Sequence, residues 1–365
     1  ACAAAWGLAP ALAAELPGPA FPDYKTPAEL TRACSAGLKA GQASLKALER
    51  QPGSPAWIRA YDAFYGQIED VRFPIELLSN VHPDPKLRAA AGACELKWQD
   101  FFTTLGQSPA LYRAAQASLA TAADEIDRET LRQTVESFED SGVGLPAAQR
   151  ARAKQLSNRV SQLGQQFDKN VRDGKTRLVF TEAELAGVPA GVVKAARRDA
   201  KGRLLLGLDY PTYYPVMERA ESAAARERMW RAKTNEGGAP NLKLLAEVTR
   251  LRQDYARLFG FDSYADFMLR RRMAKDTANA DRFLNEVKQA VAEGEKRDLA
   301  GLREAKAKHT GQPLEKTTLQ RWDVAFYTER LRKERFSVDE ESFRPYFPPQ
   351  ESLLFVMRIA EAMFG

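Results

Sequence analysis

Histidine is the side chain of this sequence best suited to bind a metal ion, and the chain has two, His82 and His309. A catalytic zinc site takes three protein ligands and leaves a fourth position open, yet neither histidine has another one helical turn away. His82 lies in a turn before a helix, where its imidazole is expected to bond to local backbone. His309 ends a lysine-rich helix, where a solvated cation suits the helix macrodipole. We therefore predict that neither histidine binds zinc, and we assign no catalytic, cofactor-binding or metal-binding residue to the chain.

Motifs for other chemistries are also absent from the sequence. It contains no Gly-x-Ser-x-Gly nucleophile elbow, no Gly-x-x-x-x-Gly-Lys phosphate loop and no His-Glu-x-x-His pair. Carboxylates are numerous, but they face basic residues on helices, as Glu293 and Arg297 do four positions apart. This pattern predicts solvated helix faces rather than general acids or bases.

Tyrosines cluster around two prolines and again after a tryptophan. Tyr210, Tyr213 and Tyr214 form the first group, and Tyr327 follows Trp322 and Asp323 in the second. Because tyrosine joins an apolar ring to a polar tip, these residues could line a peptide-binding groove. The alternative, which we favour, is that the rings pack helix ends and that Asp323 accepts hydrogen bonds as an N-cap.

The N-terminal segment 1–14 is rich in alanine and leucine, carries no charge and ends in Ala11-Leu12-Ala13. Small residues in that arrangement are typical of a signal-peptidase site. We therefore predict that 1–14 is the remnant of a signal peptide and that the protein is periplasmic or exported. A cytoplasmic protein with an alanine-rich tail is the alternative. No apolar run approaches the length that crosses a bilayer, so no membrane span is predicted.

The three cysteines (Cys2, Cys34 and Cys94) lie far apart and are odd in number. No two of them have the spacing of a zinc knuckle or a redox motif. Cys94 occupies an apolar position of a helix and is interpreted as a small buried side chain. Cysteine usage alone does not indicate a cellular compartment.

The balance of charge argues against a nucleic-acid partner. Lysine and arginine number 54 against 48 aspartate and glutamate residues, for a net charge of +6. The basic clusters 270–272 and 330–333 are short and have no interleaved aromatic residues for base stacking. Such an excess affects solubility and steering rather than identifying a ligand. A basic nucleic-acid binder is kept as a third hypothesis.

Hydrophobic spacing predicts helices along most of the chain. Helices are expected through 27–107, from 109 to about 138, and along a near-heptad seam that follows Pro146. Two strand-like runs, 176–180 and 203–208, could pair as a small ribbon. Further helices are predicted over 216–233, 242–259, 277–307 and 353–364. The residues expected to face inward in these later helices include Leu242, Leu245, Phe283, Leu284, Val287, Val291, Leu354, Met357, Ile359 and Met363.

Several blocks of sequence, taken together and in order, resemble the zinc oligopeptidases of the thimet oligopeptidase, neurolysin and oligopeptidase A family. The segment 138–146 reads Phe-Glu-Asp-Ser-Gly-Val-Gly-Leu-Pro, with flexible glycines before a helix, and 208–217 and 322–327 supply the next two blocks. The similarity continues through 80–84, 184–189, 258–265 and 344–348. It covers the chain from about Tyr24 to Gly365.

The resemblance implies a mainly α fold, an elongated array of helices with a small β ribbon near 176–208. Residues 15–220 would form the N-terminal helical domain, the distal lobe of a two-lobed channel peptidase. Residues 221–365 would open the catalytic domain, truncated before the zinc motif.

It further implies a zinc metallopeptidase that cleaves short peptides. Zinc is the cofactor of the full-length family members, and this fragment is expected to bind no zinc. The fragment would form a channel wall, be inactive alone and need the missing C-terminal catalytic half as its partner. The alternative is a stand-alone helical module that binds peptides or proteins without catalysis.

Overall fold

The computed structural model of the chain describes residues 21–337 and 340–364. The predicted signal-peptide remnant and Cys2 lie outside the described residues. The chain divides into two compact units. Unit 1 comprises the residues up to Gln166 together with Leu244–Met268, and unit 2 comprises Phe167–Lys243 and the residues from Leu269 onward. The linear division at residue 220 stays a prediction.

Unit 1 is built from helices whose starts follow from local chemistry. Threonine, aspartate and serine side chains cap the first turns by accepting backbone N–H groups, and prolines occupy the first turns of three helices. Asp124 is one of these caps, and it divides the predicted helix 109–138 into two. The helices are α1 Pro27–Leu48, α2 Trp57–Val81, α3 Pro85–Gly106, α4 Pro109–Ala120, α5 Glu125–Asp140 and α6 Ala147–Arg172, the last of which continues into unit 2.

The core of unit 1 contains two fully buried tryptophans, Trp57 and Trp98, and a disulfide between Cys34 and Cys94. The disulfide links α1 to α3 across 60 residues, with a Cα–Cα distance of 6.1 Å. Cys94 is buried as predicted, but its interpretation as a simple small side chain is wrong because it is covalently paired. Spacing along the sequence gave no signal of this pair, since the two cysteines meet only when the helices pack.

A small antiparallel sheet lies in unit 2. Its strands are β1 Leu178–Phe180, β2 Arg197–Arg198 and β3 Leu204–Leu206, in the order β1-β3-β2. The two predicted runs are confirmed as β1 and β3. The strand β2 was not predicted because it consists of two exposed arginines and has no apolar pattern. A short 3₁₀ helix, Ala183–Leu185, and α7 Ala190–Ala195 connect β1 to β2.

The remaining elements are helices, so the fold is mainly α as predicted. Ser222 caps α9 and thereby divides the predicted helix 216–233. No helix in the described part of the chain is both long and apolar enough to cross a membrane. These elements are α8 Tyr210–Arg219, α9 Ala223–Thr234, α10 Gly238–Leu258, α11 Tyr264–Leu269, α12 Thr277–Thr310, a 3₁₀ helix Leu314–Lys316, α13 Arg321–Phe336, a 3₁₀ helix Glu340–Tyr346 and α14 Pro349–Phe364.

Several apolar residues predicted to face inward are exposed. In α10, Leu251 is buried, but Leu242 and Leu245 are not. The stripe of α12 is exposed over its first half, and so is the stripe of α14. The exposed members are Phe283, Leu284, Val287, Val291, Leu354, Met357, Ile359 and Met363. Periodicity therefore located the helices and their apolar faces, but it did not identify what covers those faces.

Candidate functional site

A buried ion pair between Arg226 and Asp323 organises the helices of unit 2. Arg226 Nη2 in α9 donates to Asp323 Oδ1 in α13 at 2.8 Å, and the two side chains are 2% and 0% exposed. Arg226 also donates to the carbonyl oxygens of Ala220, at 2.7 Å, and Trp322, at 3.1 Å. Its guanidinium lies 4.1 Å from the centre of the Phe326 ring. The arginine is therefore satisfied by a carboxylate, backbone oxygens and a ring.

Lys306 brings α12 into the same cluster. Its Nζ donates to Asp323 Oδ2 at 2.5 Å and to the carbonyl of Thr318 at 2.8 Å. The backbone N–H of Gln320 donates to Asp323 Oδ2 at 3.0 Å, so Asp323 closes a capping box in which Gln320 is the N-cap. The prediction of Asp323 as the N-cap residue is thus wrong by three positions. Burial alone would raise the pKa of Asp323, but hydrogen bonds from Lys306, Arg226 and the Gln320 backbone lower it overall.

His309 lies between a carboxylate and a phenol. Its Nδ1 is 3.1 Å from Tyr327 Oη, and its Nε2 is 3.3 Å from Glu221 Oε2. Burial and the nearby Arg330 lower the pKa of His309, while Glu221 partly opposes them. The imidazole is therefore mostly neutral at neutral pH. His309 lies in the last turn of α12, as predicted, but its lowered pKa disfavours the cationic form that was expected there.

A chain of carboxylate, imidazole and hydroxyl can in principle move a proton. Here Tyr327 is only 2% exposed, and burial raises the pKa of its hydroxyl. A substrate could not reach that hydroxyl without a rearrangement of the core. The arrangement of Glu221, His309 and Tyr327 is therefore a packing contact between the residue before the N-cap of α9, the end of α12 and the middle of α13.

Of the four tyrosines singled out in the sequence, two pack into the protein and two are exposed. Tyr327 is buried, and Tyr213 packs against the core beneath the small sheet, as the packing interpretation predicted. Tyr210 and Tyr214 are instead exposed and stack on each other with ring centres 5.4 Å apart. Lys233 Nζ lies 4.6 Å from the centre of the Tyr210 ring.

The glycine-containing loop after α5 is more ordered than its composition suggested. Gly142 has a φ of +87°, the left-handed conformation that ends many helices. The next residue, Val143, is buried, and its backbone N–H donates to the carbonyl of Phe138 at 3.2 Å. Arg150 donates to the carbonyl of Val143 at 3.2 Å. The loop is therefore a packed helix terminus rather than the flexible connection that we expected.

The described residues do not fit a zinc ion. His82 accepts the backbone N–H of Asp84 at 3.0 Å, the local bond expected of it. Within 21–337 and 340–364, no three histidine, cysteine or carboxylate side chains gather where they could hold a metal. The polar cluster described above joins one carboxylate to two cations, which is the wrong donor set for a divalent metal.

Comparison with known proteins places the sequence among peptidases. Residues 216–365 match the model of peptidase family M3, and this region contains the buried cluster. Residues 216–365 are thus similar to peptidase family M3. The chain is also 34% identical to oligopeptidase A of Escherichia coli over 317 residues, which cover 80% of this chain and 45% of the relative.

Other relatives extend the similarity beyond enteric bacteria. Oligopeptidase A of Haemophilus influenzae is 31% identical over 313 residues, covering 80% of this chain and 45% of the relative. Saccharolysin of Saccharomyces cerevisiae is 25% identical over 329 residues, covering 86% and 46% respectively. The chain thus spans just under half the length of these curated relatives. The resemblance to the oligopeptidase family noted in the sequence is confirmed.

The lowered pKa of His309 predicts that stability depends on pH. The imidazole has a pKa of about 6.5 in the unfolded chain. Below that pH, the unfolded chain therefore protonates His309 more readily than the folded chain does. Stability should therefore be full above about pH 6.5 and fall as pH decreases toward the lower folded pKa. Melting temperatures of the wild type and His309→Gln, compared at about pH 7.5 and pH 5.5, test this. The wild type should lose more stability on acidification, and equal losses in the two proteins would contradict it.

Proposed function

We propose that this chain forms a peptide-binding wall and the opening part of the catalytic region of a zinc-dependent oligopeptidase. The observation that carries the proposal is the similarity to oligopeptidase A over 80% of the chain, together with the M3 match over 216–365. The names of these relatives describe enzymes that act on oligopeptides. Short peptides are accordingly the proposed substrates.

The proposal places the metal-binding residues outside these 365 residues. The resemblance implies a His-Glu-x-x-His helix and a later glutamate that hold zinc, which when bound would polarise a peptide carbonyl. Neither that motif nor a set of three ligands is available from the sequence and the described residues. We infer that this chain contributes substrate binding and size selection, and not the hydrolytic step itself.

Exposed apolar surface on unit 2 supports a further packing partner. Phe283, Leu284, Val287 and Val291 of α12 are each between 43% and 62% exposed. Consecutive apolar residues of α14 are exposed as well, including Phe355 at 63% and Val356 at 61%. Such contiguous apolar surface commonly marks an interface. We propose that the metal-bearing part of the peptidase packs here.

The proposed division of roles predicts the outcome of a hydrolysis assay. The purified 365-residue chain should not cleave a quenched fluorescent nonapeptide, with or without added zinc, because it lacks a set of metal ligands. A chain extended along its own reading frame to the length of the relatives should cleave the peptide in the presence of zinc and lose activity with a chelator.

The control for this experiment is a folded substrate, which the extended chain should leave intact if the wall restricts substrate size. Zinc-dependent cleavage by the 365-residue chain would contradict the division of roles. An extended chain that binds the nonapeptide but never cleaves it would favour the stand-alone binding module.

We also propose that the protein is exported to an oxidising compartment. Segment 1–14 supports export by its composition, and the buried Cys34–Cys94 disulfide supports it independently, because disulfides persist mainly outside the cytosol. Two plant relatives carry names that place them in the cytosol and in chloroplasts or mitochondria. A cytoplasmic location is therefore the alternative.

The state of the two cysteines tests export. Cells that produce the protein are quenched in acid, alkylated and digested, and the peptides that contain Cys34 and Cys94 are identified by mass spectrometry. Export predicts that the two peptides are linked and unalkylated, whereas free, alkylated cysteines would contradict it. A sample reduced before alkylation is the control.

Because the bridge spans 60 residues, its reduction should lower the free energy of unfolding by about 4 kcal/mol on chain-entropy grounds.

A further inference from the structure

A groove of about 480 Å³ lies between α12 and α13, within the part of the chain that matches family M3. Three arginines line it: Arg297 from α12, and Arg332 and Arg335 from α13. The one carboxylate among its lining residues is Asp298. Three arginine side chains from two helices therefore line one groove, and neither helix could supply all three.

Among the described residues, Arg297 and Arg332 have carboxylate partners, whereas Arg335 forms no ion pair. Asp298 Oδ1 is 3.9 Å from Arg297 Nε, a long ion pair between side chains about 80% exposed, which water screens. Glu329 accepts hydrogen bonds from both Nε, at 2.9 Å, and Nη2 of Arg332, and it also lies 2.8 Å from Arg219 Nη2. The carboxyl end of α13 adds roughly half a negative charge, which is too little to cancel the guanidinium charge of Arg335.

Gly301 of α12 lines the groove opposite α13. A Cβ atom at Gly301 would lie 3.8 Å from Arg335 Nη2, so the guanidinium of α13 reaches across to the backbone of α12. Apolar side chains complete the walls. Leu302 is buried, Leu331 is partly buried, and Phe336 is 69% exposed. A bound molecule would therefore meet guanidinium groups and apolar surface together.

We propose that this groove binds the C-terminal carboxylate and the apolar last side chain of a short peptide. The choice of a peptide rests on the proposed function, whereas the charge and the walls of the groove do not. A planar carboxylate matches the fork of a guanidinium group, and in a peptide it stands one carbon from the terminal side chain. Leu331 and Phe336 would contact that side chain.

Equilibrium binding to the 365-residue chain tests the proposal without requiring catalysis. The probe is dansyl-Ala-Ala-Ala-Leu, used as the free acid and as the C-terminal amide, and binding is followed by fluorescence anisotropy. Loss of a charge-assisted hydrogen bond is worth about 1.5–3 kcal/mol, so the acid should bind at least about tenfold more tightly than the amide.

Variants assign the preference to the groove. Arg335→Gln should weaken binding of the acid about tenfold and leave binding of the amide unchanged. Arg282→Gln is the matched control, since Arg282 lies on α12, is 69% exposed and does not line the groove. Gly301→Leu, which would fill the groove, should weaken binding of both peptides. Unchanged circular dichroism would show that each variant is folded.

Equal binding of acid and amide, no binding of the acid, or no effect of Arg335→Gln would each overturn the proposal. Inorganic phosphate that binds as tightly as the free acid would also overturn it, because the site would then recognise anions in general. If the extended chain cleaves peptides but the groove shows no preference for the acid, only this inference fails. If the groove prefers the acid but the extended chain never cleaves, only the proposed function fails.

Discussion

The burial of Arg226 and Asp323 is the constraint on which the arrangement of unit 2 depends. Two opposite charges with almost no exposure require every donor and acceptor to be satisfied, because an unpaired buried charge is very costly. The pair satisfies them with Lys306, two backbone carbonyls and the Gln320 N–H. These partners come from α12, from α13 and from the residues that flank α9. The helices can therefore meet in few other arrangements.

The same constraint defines the groove between α12 and α13. Lys306 fixes α12 to the N-terminal end of α13, and Phe326 and Tyr327 pack with Leu302 beyond it. The helices are thus held at one end, and the arginine-lined groove lies toward the other. The charged groups of Arg226, Asp323 and Lys306 and the three arginines of the groove both draw on these two helices but share no side chain. Substitutions of the groove arginines should therefore change peptide binding without disrupting the contacts of Arg226, Asp323 and Lys306.

Local chemistry explains how much of the fold the sequence could predict. Capping residues such as Thr26 and Asp84, with prolines after them, mark the helix starts, and apolar spacing gives the helices themselves. The same logic predicted β1 and β3. Interruptions such as the one at Asp124 were missed because a cap inside a helical pattern competes with good helix formers on either side.

Contacts between distant residues could not be predicted in this way. Cys34 and Cys94 are 60 positions apart, and Arg226 and Asp323 are 97 apart, so no local pattern links them. The family resemblance was visible because it rests on ordered blocks of sequence. The groove could not be predicted, because in the sequence Arg297, Arg332 and Arg335 resemble ordinary solvated arginines. They become neighbours only when the two helices pack.

Native-state hydrogen exchange of α13 tests most directly whether the buried pair holds unit 2 together. Arg226→Met and Asp323→Asn should each lower the opening free energy of α13 by about 3 kcal/mol or more, because each leaves a buried group without its partner. The double variant should lose less than the sum of the two, and α2 and α3 of unit 1 should be unaffected. Losses below about 1 kcal/mol, or losses that simply add, would contradict the account.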